Sequence, residues 1–158
     1  MLRLLRIGAP LVAVMAFVSL LAGPSLAATA EQEKAFVDAY KQAYEASDGD
    51  ALKALLYTDG ADPMALEFYG EMMVADFGGT ITDIGLRDLT AEEVKQAAEA
   101  MDGPAGGKFV LAPKPYKKLY INISQKDANG ESKTTSESFV AEYDGKLVIS
   151  TPAPAPAK

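Results

Sequence analysis

Two kinds of side chain in this sequence could carry out proton chemistry: a carboxylate at Glu137 and the tyrosine hydroxyls at Tyr40 and Tyr69. A carboxylate shielded from water can act as a general base, and a tyrosine hydroxyl can donate a hydrogen bond to the oxyanion that forms. Such a pair would suit a cofactor-independent isomerase or lyase. The simpler alternative is that the tyrosines pack in the core and that Glu137 meets solvent. We therefore take these three residues as candidate ligand-binding residues and assign no catalytic residue.

The composition excludes several other chemistries. The 158 residues contain no Cys and no His, so a Cys nucleophile, a His-based triad and a zinc site are all excluded. Histidine is also the commonest metal ligand and the side chain that titrates near neutral pH. We therefore expect neither a bound metal nor a cofactor.

The N-terminal segment has the features of a secretory signal peptide. Arg3 and Arg6 precede an apolar run over residues 7–23, and Ser25 and Ala27 have the small-residue spacing of a cleavage site. The pattern predicts cleavage after Ala27 and a periplasmic or secreted protein that is not attached to the membrane. Without the two arginines the chain carries 13 basic and 22 acidic side chains, a net charge of −9, which opposes binding to nucleic acid.

Helical periodicity predicts the elements that hold the two tyrosines. Residues 31–46 form an amphipathic pattern that places Tyr40 on its apolar arc. Residues 63–77 place Tyr69 on one face with other large apolar side chains, and a shorter helix over residues 51–57 lies between these two. Three helices thus precede any strand.

Local signals predict where several elements begin. Gly49 and Asp50 are expected to end the first helix and to cap the second. A change in the parity of the apolar positions predicts a bulged strand over residues 80–89. Thr90 and Glu93 form a capping-box pattern, which predicts a short fourth helix.

A period of two predicts an antiparallel meander in the last third of the chain, with strands over residues 109–112, 116–125, 132–143 and 146–150. Hairpin loops of three residues, with Gly130 and Gly145 left-handed, would collect the apolar side chains on one face. That core face consists of Leu119, Ile121, Ile123, Phe139, Ala141, Leu147 and Ile149. The same register places Glu137 opposite Ile121, facing the core. We predict a disordered, solvated Pro/Ala tail over residues 151–158.

The stretch "FVDAYKQAYEASDGDALKALLY", followed by a third helix and a long meander, resembles the nuclear transport factor 2-like superfamily. The shared features are a Phe/Tyr helix, a "GD" joint and an "AL..LL" segment. The resemblance implies a curved sheet wrapped around helices, with an apolar cavity between them. Members of this superfamily include isomerases, dehydratases and cyclases similar to ketosteroid isomerase or SnoaL, as well as non-catalytic binding or dimerising modules. This sequence differs in that its third helix directly follows the second, where the superfamily has a strand.

We therefore predict a single α+β domain over residues 28–150, with three N-terminal helices packed on a curved antiparallel meander and one further short helix. The favoured function is an exported, non-enzymatic module that binds a small apolar molecule or a protein partner, including a second copy of the chain bound through the sheet. One alternative is the isomerase or lyase described above. Another is a structural accessory protein of the cell envelope, whose cavity would be filled by its own side chains.

Overall fold

The computed structural model describes residues 28–103, 107–128 and 130–156, and the signal-peptide prediction for residues 1–27 lies outside them. The helices in this part of the chain are α1 (Ala30–Glu45), α2 (Gly49–Lys53), α3 (Pro63–Ala75) and α4 (Ala91–Ala98). The strands are β1 (Thr80–Asp88), β2 (Met101–Asp102), β3 (Lys108–Ala112), β4 (Lys117–Asp127), β5 (Gly130–Tyr143), β6 (Lys146–Ile149) and β7 (Thr151–Pro154). The predicted α+β class is confirmed. No helix among the described residues has the length and apolar character needed to cross a membrane.

The helices begin at side-chain caps. Thr29 and Gln32 form a capping box at the start of α1, and Thr90 and Glu93 form the predicted one at the start of α4. The prediction for the joint between α1 and α2 is wrong by two residues, because Asp48 is the cap that accepts a hydrogen bond from the main chain of α2. The left-handed residue before it is a serine at position 47, and no left-handed glycine is used there.

Helix α2 ends earlier than predicted because the chain after it pairs with a strand. The main-chain nitrogen of Tyr57 donates to the oxygen of Ile149 at 2.9 Å, and the nitrogen of Ile149 donates to the oxygen of Leu55 at 2.8 Å. These bonds use main-chain groups that a longer helix would need for itself. The loop after α2 is thereby fixed to β6.

Four strands form the main sheet, in the antiparallel order β1-β4-β5-β6. The bulge predicted in β1 is confirmed: Ile81 pairs with Ile123 and Asp83 pairs with Asn122, which leaves Thr82 as the additional residue. The bulge brings the apolar residues on both sides of it onto the face that packs against the helices.

The register predicted for the meander is wrong in both hairpins. Leu119 pairs with Ser138 where Phe139 was expected, and Ala141 pairs with Val148 where Leu147 was expected. In the second hairpin Asp144 has a φ of 51° and the glycine after it a φ of 71°, the two positive values of a two-residue type I′ turn.

The physical reason is that the face toward the helices is not uniformly apolar. Ser136 and Ser138 alternate with Glu137 and Phe139, and the serines share a face with Val140. Val140 therefore replaces Phe139 in the core, and Ser136 replaces Glu137 opposite the buried Ile121. Choosing the register that gives the most apolar face therefore leads to the wrong pairing for this strand.

The core lies between α1, α2 and the main sheet. Its buried members are Phe36, Tyr40, Ala43, Tyr44, Leu52, Leu56, Leu119, Ile121, Ile123, Val140, Leu147 and Ile149. The chain turns from α3 into β1 directly against this core at Gly79. A Cβ atom there would lie 2.4 Å from Cγ2 of Ile123, so only glycine allows this approach.

The C-terminal segment is ordered, so the prediction of a disordered, solvated tail over residues 151–158 is wrong for its first part. Strand β7 pairs with β3 in a second sheet of order β2-β3-β7. Pro152 and Pro154 do not prevent this pairing, because alternate residues of an edge strand point their nitrogen away from the neighbouring strand. Consistent with that geometry, the oxygen of Pro152 faces outward and accepts a hydrogen bond from the nitrogen of Asp62 at 2.9 Å.

Thr151 links the two parts of the fold. It is fully buried, and its hydroxyl donates a hydrogen bond of 2.7 Å to the main-chain oxygen of Tyr57. The preceding Ser150 donates its hydroxyl to the oxygen of Pro113 at 2.9 Å. Both bonds hold the C-terminal strand against the loops that flank the main sheet.

Thr151→Val keeps the shape of the side chain but removes its hydrogen bond. We expect a fall of about 1–3 kcal/mol in the free energy of unfolding measured by urea denaturation, because a buried acceptor loses its donor. Thr80→Val, at an exposed strand position, is the matched control and should change stability by less than about 0.5 kcal/mol. Equal stabilities of the two variants would show that residue 151 is solvated, as the sequence suggested.

Candidate functional site

A cavity of about 310 Å³ lies between α1, α3 and the inner face of β4 and β5. Its wall consists of Tyr40, Tyr44, Phe68, Tyr69, Met72, Met73, Asp76, Ile123, Ser136, Glu137, Ser138 and Phe139. All three candidate residues from the sequence thus border the same cavity. The side chain of Glu137, however, lies elsewhere.

The helices present the tyrosines to the cavity as their periodicity predicts. Tyr40 and Tyr44 are four residues apart on α1, one turn above each other, and Tyr69 lies on the inner face of α3. The Tyr44 hydroxyl donates a hydrogen bond to the main-chain oxygen of Asp76, and its ring contacts Phe77 edge to face at 5.6 Å. Tyr44 is therefore a structural side chain that joins α1 to the end of α3.

The other two tyrosine hydroxyls remain available. Within the part of the chain that the structure describes, neither Tyr40 nor Tyr69 makes a hydrogen bond through its hydroxyl, and both border the cavity. Burial, with smaller contributions from Tyr44 and Asp76, raises the pKa of Tyr40 to about 12. Burial also raises the pKa of Tyr69. Both hydroxyls are thus protonated at neutral pH and can donate a hydrogen bond.

Strand β5 supplies two more hydroxyls, which sequence reasoning missed. Ser136 and Ser138 face the helices because they pair with Ile121 and Leu119, whose side chains are buried. Neither serine hydroxyl forms a hydrogen bond with another described residue. The available signal was the alternation in "TTSESFV", because a period of two places both serines on the same face of a strand.

Glu137 lies on the opposite face of the sheet, so the prediction of an inward carboxylate is wrong. It pairs with Tyr120 rather than with Ile121. Its two oxygens accept hydrogen bonds from Nη2 of Arg87 and from Nζ of Lys118, each at 2.9 Å. Only its main chain can border the cavity, because the side chain alternates outward.

Glu137 belongs to a network of four charged side chains on the outer face. We call Arg87, Glu93, Lys118 and Glu137 the outer ion network. Arg87 binds both oxygens of Glu93, at 2.7 and 2.8 Å, and Lys118 binds Glu93 at 2.8 Å. Hydrogen bonds from Arg87, then from Lys118, hold the pKa of Glu137 below its ordinary value.

This geometry removes Glu137 as a general base for the cavity. A base of that kind needs a pKa raised toward neutrality and contact with the substrate, and Glu137 has neither. Asp76 is the other acidic residue of the wall, and its main-chain oxygen accepts the hydrogen bond from Tyr44. Among the described residues no group of three Asp or Glu side chains is arranged to hold a metal ion.

A second, more open groove lies on the other side of Phe68. It also has a volume of about 310 Å³, and it is lined by Asp62, Met64, Ala65, Phe68, Met101, Asp102, Gly103, Phe109 and Pro152. Along α3 the side chains of Met64, Phe68 and Met72 are spaced by four residues and are 64%, 58% and 57% exposed. We call these three residues the α3 ridge. A row of large apolar side chains this exposed is uncommon on a soluble surface.

Comparison with known proteins gives only distant likenesses. No protein-family model matches the chain, and no curated protein is similar to it in sequence. A structure of the helical cell shape determining protein Pgp2 from Campylobacter jejuni has 11% identity and a TM-score of 0.41, over 73% of this chain and 37% of that protein. The present chain therefore spans little more than a third of the length of that protein.

Two smaller proteins are similar to a comparable degree. A proposed polyketide cyclase from Xanthomonas campestris is 18% identical, with a TM-score of 0.41 over 78% of this chain and 90% of that one. A protein of unknown function from Mycobacterium tuberculosis is 14% identical, with a TM-score of 0.41 over 81% and 71% of the two chains. At these values the likenesses assign neither a family nor a function.

The outer ion network predicts a pH dependence of stability. The ordinary pKa of a glutamate is about 4.3. Hydrogen bonds from Arg87 and Lys118 hold the pKa of Glu93 well below that value. Ionised Glu93 therefore stabilises the fold above about pH 5, and this contribution is lost as the pH falls through the lowered pKa.

We expect Glu93→Gln to lower the urea midpoint at pH 7, and the difference from the unmodified protein to shrink steadily as the pH is lowered toward about 3. Glu92→Gln, at an exposed neighbouring position on α4, is the control. A difference that stays constant over this pH range would show that the charge of Glu93 does not stabilise the fold.

Proposed function

We propose that this protein is an exported, non-enzymatic binding protein that holds a small, neutral and largely apolar molecule in the cavity between α1, α3 and the main sheet. One observation carries this proposal. Four hydroxyls, those of Tyr40, Tyr69, Ser136 and Ser138, border the cavity and make no hydrogen bond to another described residue. A bound molecule with its own donors and acceptors would form hydrogen bonds with these hydroxyls, each contributing about 0.5–1.5 kcal/mol.

The rest of the wall indicates the class of molecule. Apolar side chains of Phe68, Met72, Met73 and Ile123 supply the contacts that would bury a hydrocarbon or aromatic body. Among the described residues that line the cavity there is no Lys or Arg, whereas Asp76 is one of them, which disfavours an anionic ligand. The volume of about 310 Å³ is at the lower end of ligand pockets, so the molecule is small.

Two further elements of the proposal rest on the sequence and the arrangement of the fold. Export rests on the signal-peptide pattern that ends at Ala27. Membership of the nuclear transport factor 2-like superfamily is supported by the motif in α1 and α2 and by a cavity between N-terminal helices and an antiparallel sheet. A binding role is favoured over the isomerase or lyase because the outer ion network holds Glu137.

Tyr69→Phe tests the role of a cavity hydroxyl. With a neutral solvatochromic dye such as Nile red as the probe, we expect the variant to bind about three- to tenfold more weakly, the effect of one lost hydrogen bond. Tyr120→Phe is the matched control, because this tyrosine lies on the outer face of the sheet, where it pairs with Gly85. Binding is measured by fluorescence titration of the purified protein.

Ser138→Leu tests the cavity itself. The larger side chain would occupy the space between β5 and α3, and we expect it to abolish dye binding while the circular dichroism spectrum is unchanged. Unaltered dye affinity in both Tyr69→Phe and Ser138→Leu would place the dye outside the cavity and count against the proposal.

A second candidate function is docking of a protein, and the exposed α3 ridge favours it. We name a second copy of the chain as the partner, bound through α3 rather than through the sheet, because the outer face of the sheet carries the charged network. Native mass spectrometry of Met64→Asp should then show less dimer than the unmodified protein. Val94→Asp, at a 46% exposed position on α4, is the control. A monomer in all three proteins would eliminate this candidate.

A further inference from the structure

Two buried polar atoms lie near the start of α1 without a hydrogen-bond partner among the described residues. They are the hydroxyl of Tyr116 and Oε2 of Glu142. Buried polar groups in folded proteins are nearly always paired, so these two unpaired atoms indicate that a hydrogen-bond partner is missing. Neither atom borders the cavity described above.

The two side chains come from neighbouring strands. The nitrogen of Tyr116 donates to the oxygen of Val140 at 3.0 Å, which places Tyr116 beside β5. Glu142 is two residues further along β5 and therefore faces the same side as Val140, where it pairs with Leu147. Both unpaired atoms thus lie on the inner side of the sheet, toward α1.

The start of α1 is fixed against this same place. Nε2 of Gln32 donates to the oxygen of Gly145 at 2.9 Å, which ties the first turn of α1 to the hairpin between β5 and β6. Ala28 is partly buried against the core. Its main-chain N–H acts to lower the pKa of Tyr116, although the Tyr116 hydroxyl has no hydrogen-bond partner among the described residues.

The charged groups around Tyr116 come from three elements. Burial, Glu33 of α1 and Glu142 of β5 raise the pKa of Tyr116, and Lys117 acts in the opposite direction. Lys117 is itself paired, with Glu33 at 3.4 Å and with Asp88 at 2.9 Å. The remaining unpaired charge at this place is therefore negative, and it lies on Glu142.

Cleavage at the predicted site would change the chemistry of the Ala28 nitrogen. A signal peptidase hydrolyses the peptide bond between Ala27 and Ala28 by adding one water molecule, which leaves a carboxylate on Ala27 and an ammonium on Ala28. A neutral amide with one N–H becomes a cation with three N–H donors. That is the kind of partner that a hydroxyl and a carboxylate both accept from.

We propose that the Ala28 ammonium released by signal-peptide cleavage binds the Tyr116 hydroxyl and the Glu142 carboxylate, and that processing thereby supplies the donor that these two buried atoms lack. This inference rests on the export that forms part of the proposed function. The new N-terminus would then have a binding role within the folded protein, in addition to being the point at which the leader is removed.

The test uses the full-length gene, with its leader, expressed in an exporting bacterium. The intact mass of the purified protein identifies its first residue, which we expect to be Ala28. The α-amine is then acetylated with an N-hydroxysuccinimide ester at about pH 7.5. Only the neutral amine reacts, so a slower reaction means that more of the amine is protonated. An unperturbed α-amine has a pKa of about 7.7–8.0. Mass spectrometry of the N-terminal peptide gives the rate.

Glu142→Gln should speed this reaction about three- to tenfold, since it removes the charge that retains the proton. Glu99→Gln, at an exposed position after α4, is the control and should leave the rate unchanged. Tyr116→Phe is a second variant that removes only the hydroxyl and should give a smaller increase. It keeps the test valid if Glu142→Gln fails to fold.

The outcomes separate this inference from the export proposal. A protein that begins at Ala28 but reacts at the same rate in all variants would overturn the binding of the N-terminus and leave export intact. A protein that has lost its leader but begins at a residue other than Ala28 would overturn the binding of the N-terminus alone, and a protein that retains Met1 would overturn both.

Discussion

The alternation of side chains along β5 is the constraint on which the rest of this structure depends. Successive residues of a strand face opposite sides, so a single register decides the position of every side chain in it. Ser136, Ser138 and Glu142 face the helices, whereas Glu137 and Phe139 face outward. The cavity wall and the outer ion network are therefore two consequences of one pairing between β4 and β5, and the inward position of Glu142 follows from the same alternation.

This arrangement separates neutral from charged groups across the thickness of one sheet. On the inner side, hydroxyls tolerate partial burial because each has to satisfy only one or two hydrogen bonds. On the outer side, Glu137 keeps contact with solvent and Lys118 is paired with both Glu93 and Glu137, which limits the cost of desolvation. A carboxylate turned into the cavity would lose hydration without gaining a cation, because the described part of the chain places no Lys or Arg in the cavity wall.

Much of the fold could be predicted from local signals. The capping box at Thr90, the face of Tyr40 and the bulge at Thr82 depend on a few neighbouring residues, and pattern arguments apply well at that range. The register of β5 could not be predicted in this way, since it depends on a type I′ turn at Asp144 and on a cavity that accepts serines. The candidate site was correspondingly half right: the two tyrosines line the cavity, and the carboxylate does not.

The C-terminal strand β7 was not predicted for a related reason. The composition of a segment does not reveal which main-chain groups of a neighbouring strand or loop it will bond to.

The position of β7 also has a consequence for aggregation. An exposed strand edge offers a row of N–H donors on which another chain can nucleate a sheet. In β7 the outward positions are Pro152 and Pro154, which have no N–H, and the oxygen of Pro152 is already bonded to Asp62. Strand β7 therefore completes the second sheet and also blocks its extension, because its outer edge offers few free main-chain groups to which another strand could bond.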